Sequence, residues 1–138
     1  MGTHAKMQKF TWTLILFLIA GCSNSYYRFQ GLNTTECAPA VGCMVINLVG
    51  KQCKNTAEAR SFNTKTTYWS FGDLKNYLDS RGIESRYKAD DITILMIQYF
   101  FTPHYVVVKN DLVYDPLWGI YGVDKLTNVY KTKLGVKS

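Results

Sequence analysis

Three short β-rich runs crowd the second half of the chain: "ITILMIQYF" at 92–100, "HYVVV" at 104–108 and "LVYD" at 112–115. Connections this short suit hairpins and leave no room for a parallel crossover. The segment therefore predicts an antiparallel sheet. "KND" separates the last two runs. Read as a tight turn at Lys109–Asn110, it makes paired positions sum to 219 and sets His104 directly across from Asp115. A loop one residue further on puts Asp115 on a diagonal. Pro116 ends the strand. "GIYGV" continues the pattern, and "DKLTNVY", 124–130, reads as strand or helical turn.

The first half has helical texture. Thr34 and Thr35 are candidate N-caps for a helix over about 36–49, with Pro39 in its first turn and Gly50 as its stop. Val41, Met44, Val45 and Leu48 form its apolar face. "NTAE", 55–58, has capping-box spacing. "SFGD", 70–73, repeats it ahead of an apolar stripe of Phe71, Leu74, Tyr77 and Leu78, closed by Arg81 and Gly82. Helices before strands is the α+β order, with one sheet face buried against the first helix. Tyr68, Trp69, Phe71, Tyr99, Phe100 and Phe101 read as core, whereas Trp118 is a candidate wall for a substrate groove.

The N-terminus reads as a leader. "TWTLILFLIA", 11–20, follows Lys6 and Lys9. It is too short to span a bilayer, which takes roughly 20 apolar residues, but suits a secretory signal. It ends in "IAGC", 19–22, which resembles a bacterial lipobox. That resemblance implies cleavage before Cys22, lipidation of its thiol and, with Ser23 next, placement on the outer membrane facing the periplasm. The expected organisation is a signal peptide at 1–21, a tether at 22–29 and one domain at 30–138. The chain holds 16 basic and 10 acidic residues, net +6; losing Lys6 and Lys9 leaves +4. That excess suits an anionic membrane surface. No Lys/Arg cluster reads as a nucleic-acid stripe.

With Cys22 lipidated, Cys37, Cys43 and Cys53 remain, an odd number in a disulfide-permissive compartment. Cys43 and Cys53 are the candidate pair, across a helix and a loop, leaving Cys37 free. Cys37 lies in the first helical turn, where the helix dipole favours a thiolate. His104 is the single histidine after residue 21 and thus the only available imidazole base. Asp115 across the hairpin would orient it. One histidine and scattered cysteines offer no metal-ligand spacing, so neither metal nor cofactor is expected.

"ECAPAVGCMVI", "HYVVV" and "VYDP" together resemble the bacteriocin-processing, double-glycine-leader cysteine peptidases, over about residues 30–130. The resemblance implies a papain-like fold, Cys37 as nucleophile, His104 as base and Asp115 as its orienting partner. Family members carry an oxyanion Gln six residues before the Cys. Gln30 is seven before, with Asn33 as the substitute candidate. The usual Asp-Cys-Gly is Glu36-Cys37-Ala38 here. The implied activity is peptide-bond hydrolysis on exported polypeptides by a lipid-anchored envelope protein, while the transporter-linked leader substrate does not carry over. The competing expectation is a catalytically silent domain that binds a protein partner in a secretion or pilus assembly. A third is a transferase using the same three residues.

Overall fold

The structure, a computed structural model, describes residues 26–31, 34–99 and 102–138. The expected signal peptide, Cys22, Asn33, Phe100 and Phe101 lie outside the described residues, as does the side chain of Tyr99. Three helices come first: α1 (Cys37–Leu48), α2 (Thr56–Arg60) and α3 (Phe71–Ser80). Six strands follow: β1 (Ser85–Arg86), β2 (Ile92–Tyr99), β3 (Thr102–Lys109), β4 (Leu112–Asp115), β5 (Gly119–Gly122) and β6 (Val129–Val136). They form one sheet in the order β1-β6-β2-β3-β4-β5, every pairing antiparallel. This is the α+β architecture expected, with the first helix against one sheet face.

Helix α1 is buried along its entire length rather than on one stripe. Val41, Met44, Val45 and Ile46 have no exposed surface. The cause is a two-sided environment. Strands β2 and β3 lie on one side through Ile92, Ile94, Tyr105 and Val107, and α3 lies against the helix through Leu74, Tyr77 and Leu78. Burying one such aliphatic side chain contributes about 1.5–3 kcal/mol. At Gly42 an added Cβ would come within 2.9 Å of the Tyr77 ring, so α3 packs tightly there.

The start of α1 differs from the expectation. Thr34–Glu36 form a single 3₁₀ turn, and Glu36 rather than a threonine is the N-cap residue, without a side-chain cap. The other two helix starts follow their local signals. Asn55 accepts from the Glu58 N–H, and Ser70 and Asp73 form a full capping box. Gly50 and Gly82 sit at φ +87° and +74° just past α1 and α3, as left-handed helix stops do.

The β3–β4 hairpin corrects the direct pairing of His104 with Asp115. Val107 faces Tyr114, Val108 faces Val113 and Lys109 faces Leu112. Paired positions therefore sum to 221, and the two turn residues are Asn110 and Asp111. Both have positive φ, 52° and 64°. A two-residue type I′ turn needs left-handed backbone at both positions, which Asn and Asp tolerate better than Lys.

Residues 26–31 are fastened to the domain. The Tyr27 hydroxyl donates to the Asp115 carbonyl at 2.6 Å, Arg28 Nη2 to the Cys53 carbonyl at 2.7 Å, and the Gln30 N–H to the Pro116 carbonyl at 2.8 Å. The stretch read as tether thus packs on the domain from Tyr27 onward. Residues 123–130 resolve into a 3₁₀ turn at Val123–Lys125 followed by β6. Trp69 and Phe71 are buried, but Tyr68 is 60% exposed and is not core.

Cys43 in α1 and Cys53 are joined by a disulfide, both with no exposed surface. Around it, Asn47 Oδ1 accepts from the Cys53 N–H at 2.8 Å, and Asn47 Nδ2 donates to the Cys53 carbonyl at 3.2 Å. Cross-linking a loop of this size stabilises by roughly 2–3 kcal/mol through the unfolded chain. Replacing both cysteines by Ala should lower stability by about that amount. Urea unfolding of the variant and of the wild type under non-reducing conditions checks it; coincident midpoints would count against a structural role for the bond.

Candidate active site

The site assembles where the start of α1 meets the far ends of β3 and β4. Alternation along the strands puts His104, Val106, Val113 and Asp115 on one sheet face, and Tyr105, Val107 and Tyr114 on the helix-covered face. Continuing the observed register by one step sets Asp115 opposite Val106, so His104 is its diagonal neighbour. His104 Nε2 and Asp115 Oδ1 are 2.7 Å apart. The Cys37 thiol hydrogen-bonds the same imidazole. With Nε2 committed to Asp115, Nδ1 is the ring nitrogen left for sulfur.

All three side chains are buried: Cys37 and His104 are 5% exposed and Asp115 is 1% exposed. Burial by itself disfavours an imidazolium. Hydrogen bonding and charge from Asp115, with the same contributions from Cys37, outweigh that cost and raise the His104 pKa from 6.5 to about 9. Burial likewise acts to raise the Asp115 carboxyl, but the hydrogen bond and charge of His104, aided by Tyr121 and the Leu117 amide, hold it below the usual carboxylate range.

Asp115 is over-determined. Its Oδ1 also accepts the Leu117 and Trp118 N–H groups at 2.9 and 3.2 Å, and its Oδ2 accepts the Tyr121 hydroxyl at 2.7 Å. These donors fix the carboxylate in the bend after β4. Tyr121 is a residue that sequence reasoning missed. It faces Val113 in the β4–β5 pairing and is therefore the diagonal neighbour of Asp115 on the other side. The signal was available: "DPLWGIYG" places a tyrosine six residues beyond the aspartate, across a short turn. Burial, then the hydrogen bond to Asp115, raises the Tyr121 hydroxyl pKa, so it stays a donor.

Gln30 is buried beside the Asp115–Pro116 bend through its main-chain bond. Asn33 and the lipidation candidate Cys22 lie outside the described residues. Cys43 and Cys53 are bonded to each other, and Cys37 is the free cysteine among the described residues. No group of three or more His, Cys, Asp or Glu side chains among the described residues is placed to hold a metal ion. Trp118 is 63% exposed and lines a cleft of about 330 Å³ with Ile97, Asp115, Tyr121 and Leu126. The cleft thus reaches the outer side of the carboxylate; neither Cys37 nor His104 lines it.

The arrangement can perform acyl transfer. A thiol paired with an imidazole loses its proton readily, and the buried carboxylate keeps the ring in one orientation and stabilises its cation.

Comparison with known proteins finds no matching family model and no matching curated protein. Among solved structures, the chain is similar to the peptidase domain of Streptococcus ComA, a bi-functional ABC transporter involved in a quorum-sensing pathway. The TM-score is 0.62 at 16% identity, covering 80% of this chain and 97% of that one. The likeness shows that the fold is that of a papain-like peptidase domain.

The His104 pKa has a consequence for stability. Its folded value lies above the unfolded one, so the imidazolium contributes stability that is fully present below pH 6.5 and is lost as pH rises through about 9. The stability gap between wild type and His104→Ala should therefore narrow over that window. Chemical denaturation at half-unit pH steps measures it, and a gap that stays flat would contradict the pairing.

Proposed function

We propose that this protein is a cysteine peptidase-like lipoprotein that hydrolyses peptide bonds in exported polypeptides. The observation that carries the reading is the buried hydrogen-bonded chain from Cys37 through His104 to Asp115. The papain-like fold supports it. Cys37 attacks the scissile carbonyl carbon as a thiolate, its proton already held on the His104 imidazolium. His104 then protonates the departing amine, leaving an acyl-thioester on Cys37. Water, deprotonated by His104, releases the acid and restores the thiol. Asp115 holds the ring and stabilises its charge. The Cys37 main-chain N–H, with Gln30 or Asn33, donates to the oxyanion. The reaction uses no cofactor. Cleavage before Cys22 and lipidation of that residue anchor the domain in the outer membrane, facing the periplasm.

A second reading, a silent domain that binds a protein partner in an envelope assembly, is favoured by the low exposure of the thiol, 5%.

The two separate in one experiment. Wild type, Cys37→Ala and Asp115→Ala are incubated with a peptide library from a digested proteome, and new termini are counted by mass spectrometry. The wild type should generate termini that vanish with Cys37→Ala. Removing Asp115 should reduce their rate by on the order of 10²–10⁴, since it leaves the base unoriented. Identical termini from wild type and Cys37→Ala would sink the peptidase reading and leave the binding one. The mass of the mature chain, cut before Cys22 and carrying diacylglycerol, tests the anchor separately.

A further inference from the structure

We infer that Arg60 is a positioning residue for Cys37 and acts through Glu36; the inference rests on the peptidase reading above. Glu36 is the N-cap residue of α1 and directly precedes Cys37. An unpaired carboxylate there would oppose negative charge on the thiol beside it. The structure directs that carboxylate elsewhere. Arg60 Nε donates to Glu36 Oε1 at 3.0 Å and to Oε2 at 3.2 Å, and Nη2 lies 3.0 Å from Oε1. The two side chains are 18% and 22% exposed, so the pair is only lightly screened by water.

The same guanidinium reaches one residue further. Nη2 donates to the Thr35 carbonyl at 2.6 Å, so Arg60 grips both residues ahead of the nucleophile. The guanidinium is itself immobilised. Nη1 donates to the Thr66 and Asn63 carbonyls at 2.8 and 3.3 Å, Nη2 to the Thr67 carbonyl at 3.0 Å, and the cation sits 5.4 Å from the Trp69 ring centroid. Only a planar fork satisfies that many acceptors from one point. Its carrier, α2, is held by the Asn55 cap and lies against α1. Other charged or titratable groups face the thiol from the sheet: His104, with Asp115 behind it, and Tyr105, whose own surroundings include Asp73 of α3. On the helix side Glu36 directly precedes Cys37, with Arg60 on its carboxylate. Arg60 therefore neutralises and anchors Glu36, so that no unpaired carboxylate stands next to Cys37 in the chain.

The test is the pH dependence of Cys37 alkylation by iodoacetamide in the full chain, without reductant, read on the Cys37 peptide by mass spectrometry. Arg60→Gln should slow alkylation near neutral pH by on the order of tenfold, equivalent to about one pH unit, and rejoin the wild type at high pH. Glu36→Gln/Arg60→Gln should recover to within about twofold, because no carboxylate is left to neutralise. An Arg60→Gln profile equal to wild type, or a double variant as slow as the single, overturns the inference; the latter result means Arg60 only holds the loops. If Arg60→Gln does not fold, the isosteric Glu36→Gln decides. It keeps the cation and should speed alkylation below neutral pH, and an unchanged rate overturns the proposal. His104→Ala serves as the control for the premise. If it leaves wild-type alkylation unaltered, the peptidase reading fails; if it acts while the Glu36 and Arg60 variants do not, only this inference falls.

Discussion

Helix α1 is buried on every side, and that burial is the constraint from which the site follows. A surface helix can rotate by some degrees at little cost. A helix enclosed by Ile92, Ile94 and Val107 on the sheet side and by Leu74, Tyr77 and Leu78 on the other cannot, because close-packed neighbours resist every displacement. Its first residue is Cys37. The packing of twelve residues thus sets the direction of one sulfur. The Cys43–Cys53 bond, in the helix's second turn, ties the same element to the loop leading into α2.

The sheet supplies the other half by a different device. Asp115 sits between diagonal neighbours on two strands, His104 on β3 and Tyr121 on β5, and the bend after Pro116 adds two amides. A buried carboxylate with this many donors stays ionised, and its charge keeps the neighbouring imidazole protonated well above the ordinary range. The electrostatics of the site is therefore a property of the hairpin geometry. Substituting an apolar side chain at position 115 would leave Tyr121 and the imidazole without their common acceptor.

Features set by neighbouring residues were legible in the sequence. The Ser70–Asp73 capping box and the left-handed stops at Gly50 and Gly82 depend on a few adjacent positions. The α+β order was legible for the same reason. A turn at Lys109–Asn110 pairs His104 with Asp115 directly; the turn lies one residue further on, at Asn110–Asp111, the alternative that shifts the register by two and makes the pair diagonal. A shift of two preserves the face on which each side chain lies, so His104 and Asp115 still came out on one surface; a shift of one would have separated them. A 3₁₀ turn with Glu36 as N-cap takes the place of the expected threonine caps, and Arg60 bonds there to Thr35 and Glu36 while also holding carbonyls of residues 63–67. No local pattern announces such a convergence. Tyr68 beside buried Trp69 shows the same limit: composition marks an aromatic cluster, but only packing selects which ring turns inward.

The type I′ turn at Asn110–Asp111 also bears on the order in which the site can form. His104 and Asp115 are 11 residues apart along the chain, while Cys37 and His104 are 67 apart. Closing the longer span costs roughly 1.6 kcal/mol more chain entropy, by the logarithmic dependence on loop length. A hairpin nucleated at its own turn can therefore bring imidazole and carboxylate together before the helix docks. In that order the Cys37 thiol comes last, to an imidazole already in place. A lineage that replaced the thiol would keep the hairpin, its buried carboxylate and the sheet almost unchanged.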